Sequence, residues 1–205
     1  MRTRGLLLAV ILLFVASAVS PPPVQGSRVT YREQYYQLFR RHLYPTPARV
    51  AENIYWLEKA LHSDFANPLF ALARVRDERE WQWYRNLFTM HIHLLIVDQY
   101  LLWSSLFMPQ EALFYNAPWQ EQNLRSLERA EELLRFALIH WEEAERWSQE
   151  AASTQFVHLE QIQYWEDQHH RIRTGSLDYR RTIGRHLERV GVLRDAFLQM
   201  DPTAF

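Results

Sequence analysis

The chain has 205 residues, a formal net charge of -1 and no cysteine. The lack of cysteine excludes disulfides, thiol catalysis and zinc–thiolate sites, and the near-neutral charge provides no global field for nucleic acid or an anionic membrane. Aromatic residues make up 14% of the chain and glycine contributes only five residues, so the composition predicts a folded protein rather than a disordered chain or a turn-rich sheet.

The N-terminus is predicted to lie outside the folded body. Arg2 and Arg4 precede an apolar run, Leu6–Val19, which is the pattern of a secretory signal. This run is shorter than the roughly 20 residues that a membrane-spanning helix needs. Residues 1–18 are therefore predicted to be a signal peptide, with an uncleaved membrane anchor as the alternative, and 19–28 a proline-rich linker. Both alternatives place the body in the periplasm, soluble or tethered to the inner membrane.

The remaining residues, 29–205, are predicted to form a single all-α domain. Apolar residues recur at helical spacing, and no run alternates as a half-buried strand would. Thr46 and Asn67 are predicted helix caps, with Pro47 and Pro68 at the first helical positions. Short turns favour an antiparallel bundle of about six to eight helices. The predicted helices cover residues 29–43, 47–62, 68–75, 80–107, 110–115, 119–152, 153–172 and 176–200.

The longest apolar helix of the prediction is hydrophobic on nearly every side of its middle, Leu87–Leu106. Such a helix is either central in a bundle or spans a membrane. His91, His93, Asp98 and Gln99 lie within it, and polar side chains of this kind are costly in lipid. The sequence therefore favours a buried helix of a soluble domain and leaves the membrane span as the alternative.

The segment Tyr55–Pro68 resembles the second helix and exit turn of a tetratricopeptide repeat. The matching positions are Leu57, Lys59, Ala60, Leu61 and Asp64. Phe65 stands where that family usually has its turn proline, and residues 133–143 form a looser second copy. No Trp-Leu-Gly first helix precedes either segment. The resemblance implies a short tetratricopeptide-like helical stack rather than a regular repeat array.

A longer run, Asn67–Asn116, is similar to a family of spirochaetal periplasmic proteins with tetratricopeptide-like helices. Trp81–His91 lies at its centre. Members of that family build the collar around the periplasmic flagellar motor. The resemblance implies a non-enzymatic scaffold in an envelope assembly, with other envelope or flagellar-motor proteins as partners. Export argues against nucleic acid as a partner, and homo-oligomerisation stays open.

Aromatic side chains are candidate anchors for such a partner. Trp81 and Trp83 are two residues apart, which is more than half a helical turn, so they cannot both face one way. We therefore expect one of the two to be exposed. The same reasoning applies to Tyr35 and its neighbour Tyr36 on the first helix. An exposed tryptophan or tyrosine is a common anchor in protein interfaces.

Arginines on the last predicted helix form a second candidate surface. Arg181, Arg185 and Arg189 stand four residues apart, so they share one helix face. This stripe could bind an acidic partner or a lipid headgroup. Glu188 and Asp195 interrupt it, and an ordinary solvated face is the alternative interpretation.

No catalytic constellation is predicted. His91 and Asp98 are seven residues apart on one helix face, which predicts a buried hydrogen-bonded pair rather than metal ligands. Glu166 and His169 have the Glu-x-x-His spacing of helical di-iron proteins, but those proteins need a second such motif, which the chain lacks. Phosphate-loop and nucleophile-elbow motifs are also missing. The sequence therefore predicts a protein that is not an enzyme and holds no metal or cofactor.

The main alternative function is a periplasmic carrier that holds a small apolar ligand among the aromatic helices. Eight tryptophans, ten tyrosines and eleven phenylalanines could supply the surface for such a ligand. A carrier should enclose an apolar pocket, whereas a scaffold should present an open groove or an exposed aromatic face.

Overall fold

A computed structural model describes residues 28–108, 119–154 and 157–200. Within these ranges the chain forms six α-helices, two single 3-10 turns and no β-strand, which confirms the predicted all-α fold. The predicted signal or anchor, the linker and the predicted turn of helix at 110–115 lie outside the described residues. The helices are α1 (Arg32–Leu43), α2 (Val50–His62), α3 (Glu78–Ser105), α4 (Gln120–Ala152), α5 (Gln163–Arg173) and α6 (Tyr179–Leu198).

Local sequence signals set several of the helix ends. The Asp77 carboxylate accepts a hydrogen bond from the third backbone N–H of α3, and Asp178 does the same for α6. Asn67 caps the 3-10 turn Pro68–Phe70, as the sequence predicts. Gly175 follows α5 with a φ of 71°, a left-handed conformation that glycine adopts without steric cost. The helix stop predicted at Gly175 is therefore confirmed.

Three predicted boundaries are wrong. Thr46 does not cap α2, which begins at Val50; its hydroxyl donates instead to the His42 carbonyl at 2.7 Å and closes α1. The helix predicted at 68–75 is a single 3-10 turn. Ser153 and Thr154 end α4 through backbone bonds to its last turn, and α5 begins only at residue 163. Hydroxyl side chains can bond backbone groups at either end of a helix, so their position alone does not show which end they serve.

Helix α3 is the centre of the fold. It packs against α2, α4 and α5, and every residue of Asn86–Leu94 is buried. Helix α4 runs antiparallel to it, since Tyr100 stacks on Phe136 while His93 contacts His140. Within the part of the chain that is described, no helix is long and apolar enough to cross a membrane.

Small residues bring the helices of the bundle close together. Ala130, Ala137 and Ala144 lie on the inner face of α4 and are fully buried, as their spacing predicts. Helix α4 packs on α3 along one side and on α6 along the other. Alanine allows two helix backbones to approach closely because it has no side chain beyond Cβ. Helix α4 thus packs closely on α3 and α6, while α2 and α5 pack on α3 and α1 packs on α2.

Candidate functional site: an aromatic cleft between α1 and α5

Helices α1 and α5 both reach the middle of α3 and leave an open cleft of about 660 Å³ between them. Most of the lining is aromatic or aliphatic, and one side is open to solvent. The lining residues are Tyr36, Phe39, Arg40, Leu43 and Tyr44 from α1 and its end, Leu72, His91 and Leu95 from the centre, and Gln161, Ile162, Tyr164 and Trp165 at the start of α5.

A chain of four hydrogen-bonded side chains forms the polar part of the cleft floor. The Gln168 amide donates to the Tyr164 hydroxyl at 3.3 Å, so its oxygen accepts from His91 Nδ1 at 2.7 Å. His91 therefore carries its hydrogen on Nδ1, and its Nε2 accepts from the Tyr36 hydroxyl at 3.1 Å. The floor is thus fixed by bonds that join α1, α3 and α5.

His91 is neutral in this setting. It is only 2% exposed, and its ring stacks on Trp165 with centroids 5.1 Å apart. Burial lowers the pKa of His91 to about 4, because the charged imidazolium would lose its hydration. The predicted His91–Asp98 pair is wrong: the Asp98 carboxylate accepts from the Tyr179 hydroxyl on α6. Sequence spacing placed the two on one face, but neighbouring helices supplied a different partner for each.

The rim of the cleft exposes aromatic surface. Tyr44 is 81% exposed and Tyr164 is 62% exposed, although large aromatic side chains are usually more buried. The Tyr164 hydroxyl accepts from Gln168, and its own hydrogen has no acceptor among the described residues. Arg40 lines the same cleft, with its guanidinium 5.9 Å from the Tyr36 ring centroid. The rim therefore offers flat apolar faces, a hydroxyl donor and a positive charge.

Two smaller hollows adjoin the cleft. One, of about 240 Å³, is lined by Gln37, Arg41 and the same Arg40 and Tyr44 that line the cleft. The other, of about 380 Å³, lies along Pro68–Val75 and shares lining with the cleft. Together the three form one continuous depression, which we call the aromatic groove.

Trp81 and Trp83 do not form the predicted exposed anchor. Both are buried, at 8% and 7% exposure. Trp81 stacks on Tyr84, and the Trp83 indole donates to the Glu166 carboxylate at 3.1 Å. The prediction failed because α3 is covered on all sides over this stretch, so opposite helix faces are both inside.

Tyr35 lies outside the groove. It is half-buried, its ring stacks on Trp56 of α2, and its hydroxyl donates to the Val29 carbonyl. Its neighbour Tyr36 is the α1 tyrosine that forms the groove floor. The sequence marked the tyrosine pair but could not tell which member would face α3.

The arginine stripe lies on α6, away from the groove. Arg181, Arg185 and Arg189 are exposed, as an outward helix face predicts. Helix α6 packs on α4, whereas the groove lies between α1 and α5. None of the six residues singled out from the sequence therefore lines the groove. The aromatic pair at the start of α5, Tyr164 and Trp165, could have signalled it, since two adjacent rings in a polar stretch are unusual.

Glu166 and His169 have separate partners. The Glu166 carboxylate accepts from the Leu159 backbone N–H at 2.8 Å and also bonds His158 and Trp83. His169 Nδ1 bonds the Ser148 hydroxyl at 2.9 Å. Among the residues that the structure describes, no three His, Asp or Glu side chains are arranged to hold a metal ion.

A second polar cluster lies between α2, α3 and α4. The Nδ1 atoms of His93 and His140 are 3.0 Å apart, so one donates and the other accepts, and the accepting ring must be neutral. His140 Nε2 lies 3.4 Å from the Glu58 carboxylate, which also contacts His62 at the surface. Burial, with help from nearby His140, lowers the pKa of His93 to about 3. His91 and His93 thus point to different sides of α3, as their spacing predicts.

The described residues define an all-α bundle with an open aromatic groove on its surface. The chain belongs to a family described as a domain of unknown function, DUF8513, which matches residues 79–200. The match spans α3 to α6, so α1, which forms one wall of the groove, lies before it. No curated protein and no solved structure matches the chain.

Proposed function

We propose that this protein is a non-enzymatic scaffold that binds partner proteins of an envelope assembly in the aromatic groove. The observation that carries the proposal is the open groove itself, with Tyr44 and Tyr164 exposed along its rim. Tyrosine and tryptophan contribute a large apolar area and a polar tip at a low entropic cost, which suits them to protein interfaces. The predicted signal or anchor at 1–18 supports the envelope location.

The hydrogen bonds in the groove floor support binding rather than catalysis. Both ring nitrogens of His91 are engaged, one with Gln168 and one with Tyr36. A general base must have a free nitrogen within reach of the substrate proton. His91 does not meet that requirement, and it serves instead to hold α1 and α5 at a fixed separation.

The most specific form of the proposal is a subunit of the collar around a periplasmic flagellar motor. It rests on the resemblance of the run Asn67–Asn116 alone. The tetratricopeptide resemblance supports the broader role, because helical stacks of that kind bind proteins in surface grooves.

Site-specific photo-crosslinking in the source organism tests the proposal. A photoreactive phenylalanine analogue replaces Tyr44 or Tyr164 at the groove rim, and Tyr55 on α2 serves as the exposed control position. We expect the two rim positions to crosslink to the same envelope protein and Tyr55 not to do so. Identical products from all three positions would show contact without use of the groove.

A periplasmic carrier of a small apolar ligand is the second candidate. A volume of about 660 Å³ lies within the range of small-molecule sites. Native mass spectrometry of protein purified from its source decides between the two. A small molecule that copurifies with the wild type but not with a Tyr164→Ala variant would favour the carrier. The open side of the groove favours the scaffold, since carriers usually enclose most of the ligand surface.

A further inference from the structure

The charge of the aromatic groove is one-sided. Arg40, Arg41 and Arg74 line its three hollows, and no aspartate or glutamate of the described residues does so. The chain as a whole has 23 basic and 24 acidic residues, so its composition does not explain why the charged residues that line the groove are all arginines.

The three arginines keep their charge available. Within the described part of the chain, none of them forms an ion pair, whereas many arginines of α4 are paired with glutamates on their own helix. Arg40 and Arg41 lie in the last turn of α1, where a positive charge is favourable against the helix dipole. The helix dipole explains why Arg40 and Arg41 occur at the end of α1. It does not explain the position of Arg74, nor why the described lining of the groove contains no carboxylate.

We propose that the aromatic groove binds an extended, acidic peptide segment of a partner protein that carries aromatic or large aliphatic side chains. This inference rests on the function proposed above and names its partner class. Arginines bind peptide carboxylates through two parallel hydrogen bonds, and the exposed faces of Tyr44 and Tyr164 take the apolar side chains between them.

The shape of the groove favours a peptide over a compact ligand. The central cleft shares Tyr44 with one smaller hollow and Gln161 with the other, so the three hollows are continuous and their arginines are spread over all of them. A small ligand that filled the central cleft would leave the outer arginines unused. An extended chain alternates side chains on a short repeat and contacts all three hollows in sequence.

The test measures the binding of three labelled synthetic peptides to the folded full-length protein by fluorescence anisotropy. The first alternates glutamate with phenylalanine, the second replaces glutamate by lysine, and the third replaces phenylalanine by alanine. We expect the first to bind about tenfold or more tightly than either of the others, and its binding to weaken with added salt. Equal binding of the glutamate and lysine peptides would overturn the inference.

Charge-reversal variants locate the binding. Arg40→Glu and Arg74→Glu should each weaken the acidic peptide about tenfold or more, while the matched control Arg185→Glu on α6 should leave it unchanged. All three side chains are exposed, so circular dichroism should show unaltered folding. Equal losses in the three variants would mean a diffuse charge effect and would contradict a groove site. Phosphatidylglycerol vesicles that bind in place of the acidic peptide would contradict it also.

The inference and the proposed function fail in different ways. If the groove crosslinks to an envelope protein but shows no preference for the acidic peptide, the inference of acidic-peptide binding is refuted and the proposed scaffold function stands. If the groove prefers the acidic peptide but no crosslink forms in cells, the inference of acidic-peptide binding stands and the proposed scaffold function is refuted.

Discussion

Acid should destabilise the fold through two histidines that are buried in their neutral form. A histidine of the unfolded chain titrates near its ordinary pKa of 6.5, whereas the folded state lowers the pKa to about 4 for His91 and about 3 for His93. Below pH 6.5 the unfolded chain therefore binds protons that the folded protein does not. The contribution of the two neutral histidines to the unfolding free energy is therefore fully present above pH 6.5 and is lost as the pH falls toward 4.

The size of the effect follows from the separation of the pKa values. Between pH 7 and pH 5, each histidine costs roughly 2 kcal/mol of unfolding free energy, so the two together cost about 4 kcal/mol. That is a large part of the roughly 5–15 kcal/mol that stabilises a typical domain. Both groups are at least nine-tenths buried, so solvent screening removes little of it.

Urea unfolding followed by tryptophan fluorescence at pH 7, 6 and 5 measures this loss. His91→Gln keeps a hydrogen-bonding side chain but cannot be protonated, so it should reduce the fall between pH 7 and pH 5 by roughly 2 kcal/mol. The control is Val192→Ala on the exposed face of α6, which leaves every titratable group in place and should not change the pH dependence. An unchanged slope in His91→Gln would refute the reasoning, whatever that variant does to stability at pH 7.

Three further substitutions test the packing. Trp165→Ala should lower the unfolding free energy by about 3–5 kcal/mol in urea titrations, because the buried indole packs against His91 and the rings around it. Tyr84→Phe should cost about 1–3 kcal/mol, since it leaves Oε1 of the buried Glu33 carboxylate without its donor and the Leu72 backbone N–H without its acceptor. Asp178→Ala should cost about 1 kcal/mol by removing the cap of α6, measured by thermal unfolding.

Two of these substitutions have a matched control, and the third has an outcome that would contradict it. Trp165→Phe keeps an aromatic ring and should lose clearly less than Trp165→Ala, so equal losses would contradict a packing role. Asp178→Asn still accepts the capping hydrogen bond and should be close to wild type. A Tyr84→Phe variant as stable as wild type would mean that water replaces the lost donor at Glu33.

Local signals in the sequence were sufficient for most helix positions. Asn67–Pro68 sets a turn because proline fixes its own φ, and Gly175 sets a helix stop because glycine adopts a positive φ without steric cost. Thr46 and Ser153 were assigned to the wrong helix because a hydroxyl can serve either end. The central position of α3 was also predictable, since no single apolar face could account for its composition.

The sequence by itself determined an all-α chain of amphipathic helices around one uniformly apolar helix. The tertiary structure alone decided that Trp81 and Trp83 are both inside, because burial on opposite faces of α3 depends on which helices surround it. It also brought Tyr36 and Trp165 together, with ring centroids 6.1 Å apart across 129 positions of sequence. Periodicity describes one helix at a time, whereas a groove exists only where two helices meet a third.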